Sequence, residues 1–144
     1  MAFVSATVGR LYVVRWQEPT EADVFRVEEE VAAFKRGIGK HAVHGLAIVP
    51  EATKPPDDRT RSAMSGSMSK LLDHLETMHT VIEGKGFKHS ILRSAMTGIA
   101  LLGGKRGRVL IHGTVGEAID ALAEQLGVAK QQLRSSLVEQ GVAE

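Results

Sequence analysis

Val43-His44-Gly45-Leu46-Ala47-Ile48-Val49-Pro50 is the stretch that decides the fold. It is almost wholly apolar apart from His44, and a proline closes it. Such a segment has no polar side to give to water, so it reads as a central strand covered on both faces. Toward the N-terminus, Phe3 to Val8 and Leu11 to Trp16 are rich in β-branched and apolar residues and flank Gly9-Arg10. A glycine first in a two-residue connection suits a type II′ turn, which predicts an antiparallel hairpin. Pro19-Thr20 then opens a helix, with Thr20 as its cap and Asp23 as the reciprocal member of a capping box. Val24, Val27, Val31 and Phe34 share one face of that helix. Glu21, Glu28, Glu29 and Glu30 occupy the rest as a solvated surface, and Gly37 is the expected stop.

Toward the C-terminus, Glu51 to Asp58 carries Pro55-Pro56 and suits an exposed connection. Met64, Met68, Leu71, Leu72, Leu75 and Met78 recur at helical spacing, with Asp57 or Asp58 available where the helix dipole favours negative charge. Met78 to Glu83 reads as a short strand and Gly84-Lys85-Gly86 as a turn. Phe87 to Leu102 is a helix apolar on most of its circumference, which predicts heavy burial. Arg108 to His112 is a strand, Thr114 with Glu117 caps a helix through Leu126, and Ala129 to Val138 forms a last short helix. The string β-β-α-β-α-β-α-β-α predicts one α/β domain over residues 1–144, a mostly parallel sheet with helices packed on it. Residues 128–144 supply a short C-terminal helix and tail.

Composition narrows the chemistry. The 144 residues fit one ordinary domain, able to bury roughly two-thirds of the surface its unfolded chain exposes. Aromatic residues make up only 4%, so the core is aliphatic and a base-stacking platform is disfavoured. A formal charge of +1 leaves no global attraction for a polyanion. The absence of cysteine excludes disulfides, thiolate zinc sites and a cysteine nucleophile. No apolar run is long enough to span a bilayer and no signal-peptide pattern opens the chain, so the expectation is a cytoplasmic protein without membrane insertion.

Ile91-Leu92-Arg93-Ser94-Ala95-Met96, Lys105-Arg106-Gly107-Arg108-Val109 and Glu117-Ala118-Ile119, with the element order and the size, resemble the STAS-like domains. The best-known members of that family are bacterial anti-sigma factor antagonists. The resemblance runs over nearly the whole chain through pattern and hydrophobic spacing. It implies a non-enzymatic regulatory domain that binds a protein partner and needs no cofactor. It also implies a phosphoacceptor serine or threonine after an aspartate at the start of the helix following the central strand. Here Pro55-Pro56-Asp57-Asp58 stands at that junction, and no Asp-Ser pair occurs.

Candidate sites follow from residue type and place. Ser65, Ser67, Ser69, Lys85 and Lys88 are expected near helix N-termini, where an anion or a partner docks favourably. These five are the predicted interaction residues, for a protein partner or a second copy of the chain. His44, His79 and His112 each fall on a predicted strand, and nothing in their spacing requires them to meet, so they read as structural rather than as a metal site. A phosphate loop fails, because Arg106 follows Gly104-Lys105 where Ser or Thr should ligate magnesium. A hydrolase elbow fails too, since Met64-Ser65-Gly66-Ser67-Met68 has serine and glycine in the wrong order. Two rival readings remain. Leu122 to Leu133 resembles a helix-turn-helix, with Lys130, Gln131 and Arg134 facing DNA; a helical cap on the sheet explains the same residues and makes nucleic acid the less favoured partner. The methionine-rich second helix suits a binder of small apolar ligands, although such methionines are commonly ordinary core.

Overall fold

A computed structural model describes residues 3–84 and 88–144. Strands β1 (Phe3–Val8) and β2 (Leu11–Trp16) form the hairpin, followed by helix α1 (Glu21–Ile38), β3 (His44–Val49), α2 (Asp58–Leu72), β4 (Thr77–Ile82), α3 (Lys88–Ala100), β5 (Val109–His112), α4 (Val115–Leu126) and α5 (Lys130–Glu139). A 3-10 segment at Gly103–Arg108 leads into β5. The sheet order is β1-β2-β3-β4-β5, antiparallel between β1 and β2 and parallel from there on.

Each parallel crossover steps one strand in the same direction. Right-handed connections therefore put α1, α2 and α3 on one face, and α4 and α5 return over the other. Alternation along the strands feeds two cores. Tyr12, Val14, Trp16, Ala47, Val49, Met78 and Ile82 pack with α1, α2 and α3. Leu11, Val13, Leu46, Ile48 and Val81 pack with Ala118, Ile119, Leu122, Leu133 and Leu137. All six residues of β3 are buried, as a central strand requires. Because the strand order never reverses, the sheet lacks the crevice in which doubly wound folds bind their ligands.

Local chemistry sets the element ends where the sequence indicates. Gly9 has φ 58° and among the described residues no non-glycine has positive φ, so the hairpin turn carries its left-handed residue at the first central position. Thr20 and Asp23 form the reciprocal capping box, and Asp57 caps α2 by accepting from the Thr60 amide. At α4, Thr114 accepts from the Glu117 amide, while the Glu117 carboxylate takes the amide of Gly113 rather than that of the cap. Helix α1 runs through Gly37 and stops at Gly39 (φ 81°). Glu30, expected to be only solvated, accepts from Ser5 Oγ at 2.7 Å and from the Tyr12 hydroxyl at 2.9 Å, tying α1 to the hairpin.

Gly45 is where α2 meets the sheet. A Cβ there would lie 2.6 Å from Leu75 Cδ1 and 2.8 Å from Met78 Sδ, so only glycine lets the segment after α2 sit this close to β3. Gly98 does the same between helices, since a Cβ would fall 3.1 Å from the Ser65 carbonyl oxygen.

Arg108 clamps the far end of α2. Its Nη2 donates to the carbonyls of Leu72 (2.8 Å) and Leu75 (2.6 Å), and its Nε donates to that of Glu76 (2.8 Å). A planar fork thus satisfies carbonyls that a helix end leaves without partners. Arg108→Ala is expected to cost about 2 kcal/mol, the scale of hydrogen bonds to a charged group. That lowers the melting temperature by roughly 4–8 °C in a chain of this size. Arg108→Lys should recover little of it. A melting curve identical to the wild type would show that solvent serves these carbonyls equally well.

Candidate functional site

Three places gather polar or unsatisfied chemistry. The first is a hydrogen-bonded chain on the α4 side of the sheet. His44, Thr77, His79 and His112 project from β3, β4 and β5 toward the same face, because they share alternation and the register pairs Val81 with His112. His44 Nδ1 lies 2.7 Å from Thr77 Oγ1, and Thr77 Oγ1 lies 3.2 Å from Gln125 Oε1. Gln125 Oε1 also lies 2.9 Å from His79 Nε2, and His79 Nδ1 lies 2.9 Å from His112 Nε2. The two imidazole planes lie 8° from parallel with centroids 5.2 Å apart, which suits a hydrogen bond between ring edges.

One assignment of protons satisfies every link. The Gln125 oxygen only accepts, so His79 Nε2 and the Thr77 hydroxyl donate to it. His79 Nδ1 must then accept from His112 Nε2–H, and Thr77 accepts from His44 Nδ1–H. All three imidazoles are neutral in this arrangement. Burial pushes each below the usual histidine range. Arg10 adds to the effect at His44 and Glu76 opposes it. Around His79 the neighbouring histidines reinforce burial and Gln125 opposes it, while at His112 Glu117 opposes it. The strand histidines therefore do meet, contrary to the expectation from spacing. They meet as a closed hydrogen-bond chain, and among the described residues no group of His, Asp and Glu is arranged to hold a metal ion.

The second place is an open groove of about 600 Å3 between α2 and α3, lined by Asp58, Arg61, Ser62, Ser65, Gly66, Arg93, Thr97 and Leu101. Asp58 and Arg61 pair with each other. Arg93 is exposed, and Met96 and Leu101 beside it are 56% and 71% exposed. Helix α3 thus departs from the heavy burial its composition predicts. Ala95 and Leu102 face the core, but Arg93, Thr97 and Leu101, at a spacing of four, form an outward stripe.

The third is a cavity of about 70 Å3 between the sheet and α1, α2 and α3. Its walls are apolar side chains of β2, β3 and α1, with Met64, Met68 and Met78, and it includes Ser67 and Thr80.

The predicted interaction residues scatter across this map. Helix α2 begins at Asp58, so Ser65, Ser67 and Ser69 lie at or beyond its middle and not at its N-terminus. Ser65 lines the groove and Ser69 is exposed, but Ser67 is 3% exposed and faces the cavity, which removes it from any docking surface. Lys85 lies outside the described residues, and Lys88 is the first residue of α3. The threonine nearest the start of α2, Thr60, is buried. At the C-terminus, α5 drives Leu133 and Leu137 into the second core, so it caps the sheet and does not project. Lys130 turns back to Asp120 at 3.3 Å, while Gln131 and Arg134 remain exposed. Arg61, Leu101 and Gln125 escaped the sequence reading; the four-residue spacing of Arg93, Thr97 and Leu101 was the signal available for one of them. Among the described residues no helix is long and apolar enough to cross a membrane.

No family model, no curated protein and no solved structure matches the chain.

Proposed function

We propose that this protein is a non-enzymatic regulatory domain of STAS-like type, whose groove between α2 and α3 receives an acidic and apolar segment of a protein partner. The exposure of Leu101 on that groove carries the reading. A large apolar side chain just past the end of α3, 71% exposed, stands in solvent on a concave surface, and exposed apolar surface beside a groove commonly marks an interaction site. Charge selects the partner. Arg61 and Arg93 face the groove against one carboxylate, Asp58, which Arg61 already engages, so the excess is positive and favours an acidic segment. The order of elements, with a hairpin entering a parallel sheet, supports the STAS-like assignment, as do the sequence segments that resemble that family.

The test is capture of partners by the purified protein and by two variants, with nuclease present, followed by cross-link mapping. Arg93→Glu combined with Leu101→Ser should reduce recovery of a specific protein at least tenfold while leaving the melting curve in place. Val138→Asp, on the opposite side of the domain, should leave recovery intact. Recovery that is indifferent to the groove variant, or that disappears with nuclease, overturns the proposal; the latter result would move attention to α5 and nucleic acid.

A further inference from the structure

Ser67 Oγ is, among the described residues, the one buried side-chain nitrogen or oxygen with no hydrogen-bond partner. It belongs to a residue 3% exposed, and it lines the cavity enclosed by the sheet and α1, α2 and α3. A buried hydroxyl without a partner forfeits on the order of 1–3 kcal/mol, so its presence on an apolar wall needs a reason. We propose that this cavity is a binding site for a small uncharged molecule with an apolar body and one hydroxyl or carbonyl group, which bonds to Ser67.

Size and lining define the ligand class. An apolar cavity of about 150 Å3 accommodates benzene, so about 70 Å3 admits a body of roughly three to five non-hydrogen atoms. Water is the weaker candidate, because an enclosed water needs two to four polar partners, and among the described residues the lining is apolar apart from Ser67, Thr80 and the indole N–H of Trp16. An ion is disfavoured by the same wall, since among the described residues no charged one lines the cavity to offset its desolvation. Met64, Met68 and Met78 make the wall adaptable, because unbranched thioether side chains re-pack at low cost. Met64 and Met68 are only half-buried, which puts the flexible part of the wall nearest solvent. The site lies on the sheet side of α2 and the docking groove on its outer side, so neither proposal depends on the other.

Methyl-labelled methionine provides the readout, with 1-butanol, butyrate and xenon as probes added to the full chain and followed by NMR. Saturable shifts at Met64, Met68 and Met78 with 1-butanol are expected, with Met96, outside the cavity, unmoved. Ser67→Ala should weaken 1-butanol about tenfold and leave xenon unchanged, since only the alcohol uses the hydroxyl, and butyrate should not saturate. Ser67→Val, which fills the space and keeps the fold, should abolish both. Shifts that grow linearly at all five methionines, or equal alcohol affinity in Ser67→Ala and wild type, would overturn the assignment.

Discussion

Gly45→Val is expected to destabilise the domain by about 3 kcal/mol or more, and Gly45→Ala by about 1–2 kcal/mol, the range seen when extra carbons enter a packed core. In an unconstrained strand the alanine variant would gain, because glycine loses more backbone entropy on folding. Here the added carbon meets Leu75 Cδ1 at 2.6 Å and Met78 Sδ at 2.8 Å; Met78 borders the cavity and can give way, but Leu75, 1% exposed and away from that cavity, has no open space to retreat into. Urea midpoints of the two variants measure the effect. Pairing Gly45→Ala with Leu75→Val should recover part of the loss, the non-additivity expected of residues in contact. A neutral Gly45→Ala would mean that the join between α2 and β3 yields at little cost.

The second large effect is on acid stability. His79 is fully buried and neutral, and burial holds its pKa below the 6.5 of a free imidazole. The unfolded chain binds a proton at this site below about pH 6.5 while the folded chain does not. Unfolding is thus favoured as pH falls, by up to ~1.4 kcal/mol per pH unit for one imidazole until the folded pKa is reached. The contribution of this site is fully present above about pH 6.5 and declines below it. His44 acts in the same direction, and the half-buried His112 adds less. Urea unfolding at pH 7.5 and 5.5 should show lower stability at the acid pH. His79→Leu should flatten that slope, since His112 and Gln125 both reach solvent once released. An unchanged slope in His79→Leu would place the acid sensitivity elsewhere.

What was legible in the sequence was local. Thr20 with Asp23, Asp57 before its helix, Thr114 with Glu117, and Gly9 in the hairpin each act within four residues, so their chemistry is written side by side. The β-branched and apolar run of Leu11 to Trp16 and the apolar run of β3 carried the sheet for the same reason. What was not legible depends on distant neighbours. The histidine chain needs the register of three strands and a glutamine on α4. Ser67 and Ser65 are two positions apart on one helix yet face a cavity and a groove, a matter of helical phase against a sheet that the serines themselves do not describe. Arg108 read only as the first residue of a strand, because the carbonyls it serves lie more than thirty residues earlier. Composition also overstated the burial of α3, because an apolar helix at the margin of a layer has fewer neighbours than its surface could occupy.

Chain order and spatial order coincide across the sheet, and that has a consequence for biosynthesis. As the polypeptide emerges, each strand finds its neighbour already made, so pairing needs no long search. The helices α1 to α3 arrive in step and cover one side as it grows. The other side, with Leu11, Val13, Leu46, Ile48 and Val81, stays bare until α4 and α5, which follow every strand in the chain, have been released. A nascent or C-terminally nicked chain would therefore display a broad greasy sheet surface, the kind of intermediate on which aggregation begins and which chaperones hold. The α4 and α5 segment acts as the cover for that surface, and losing it would trade a folded domain for a sticky one.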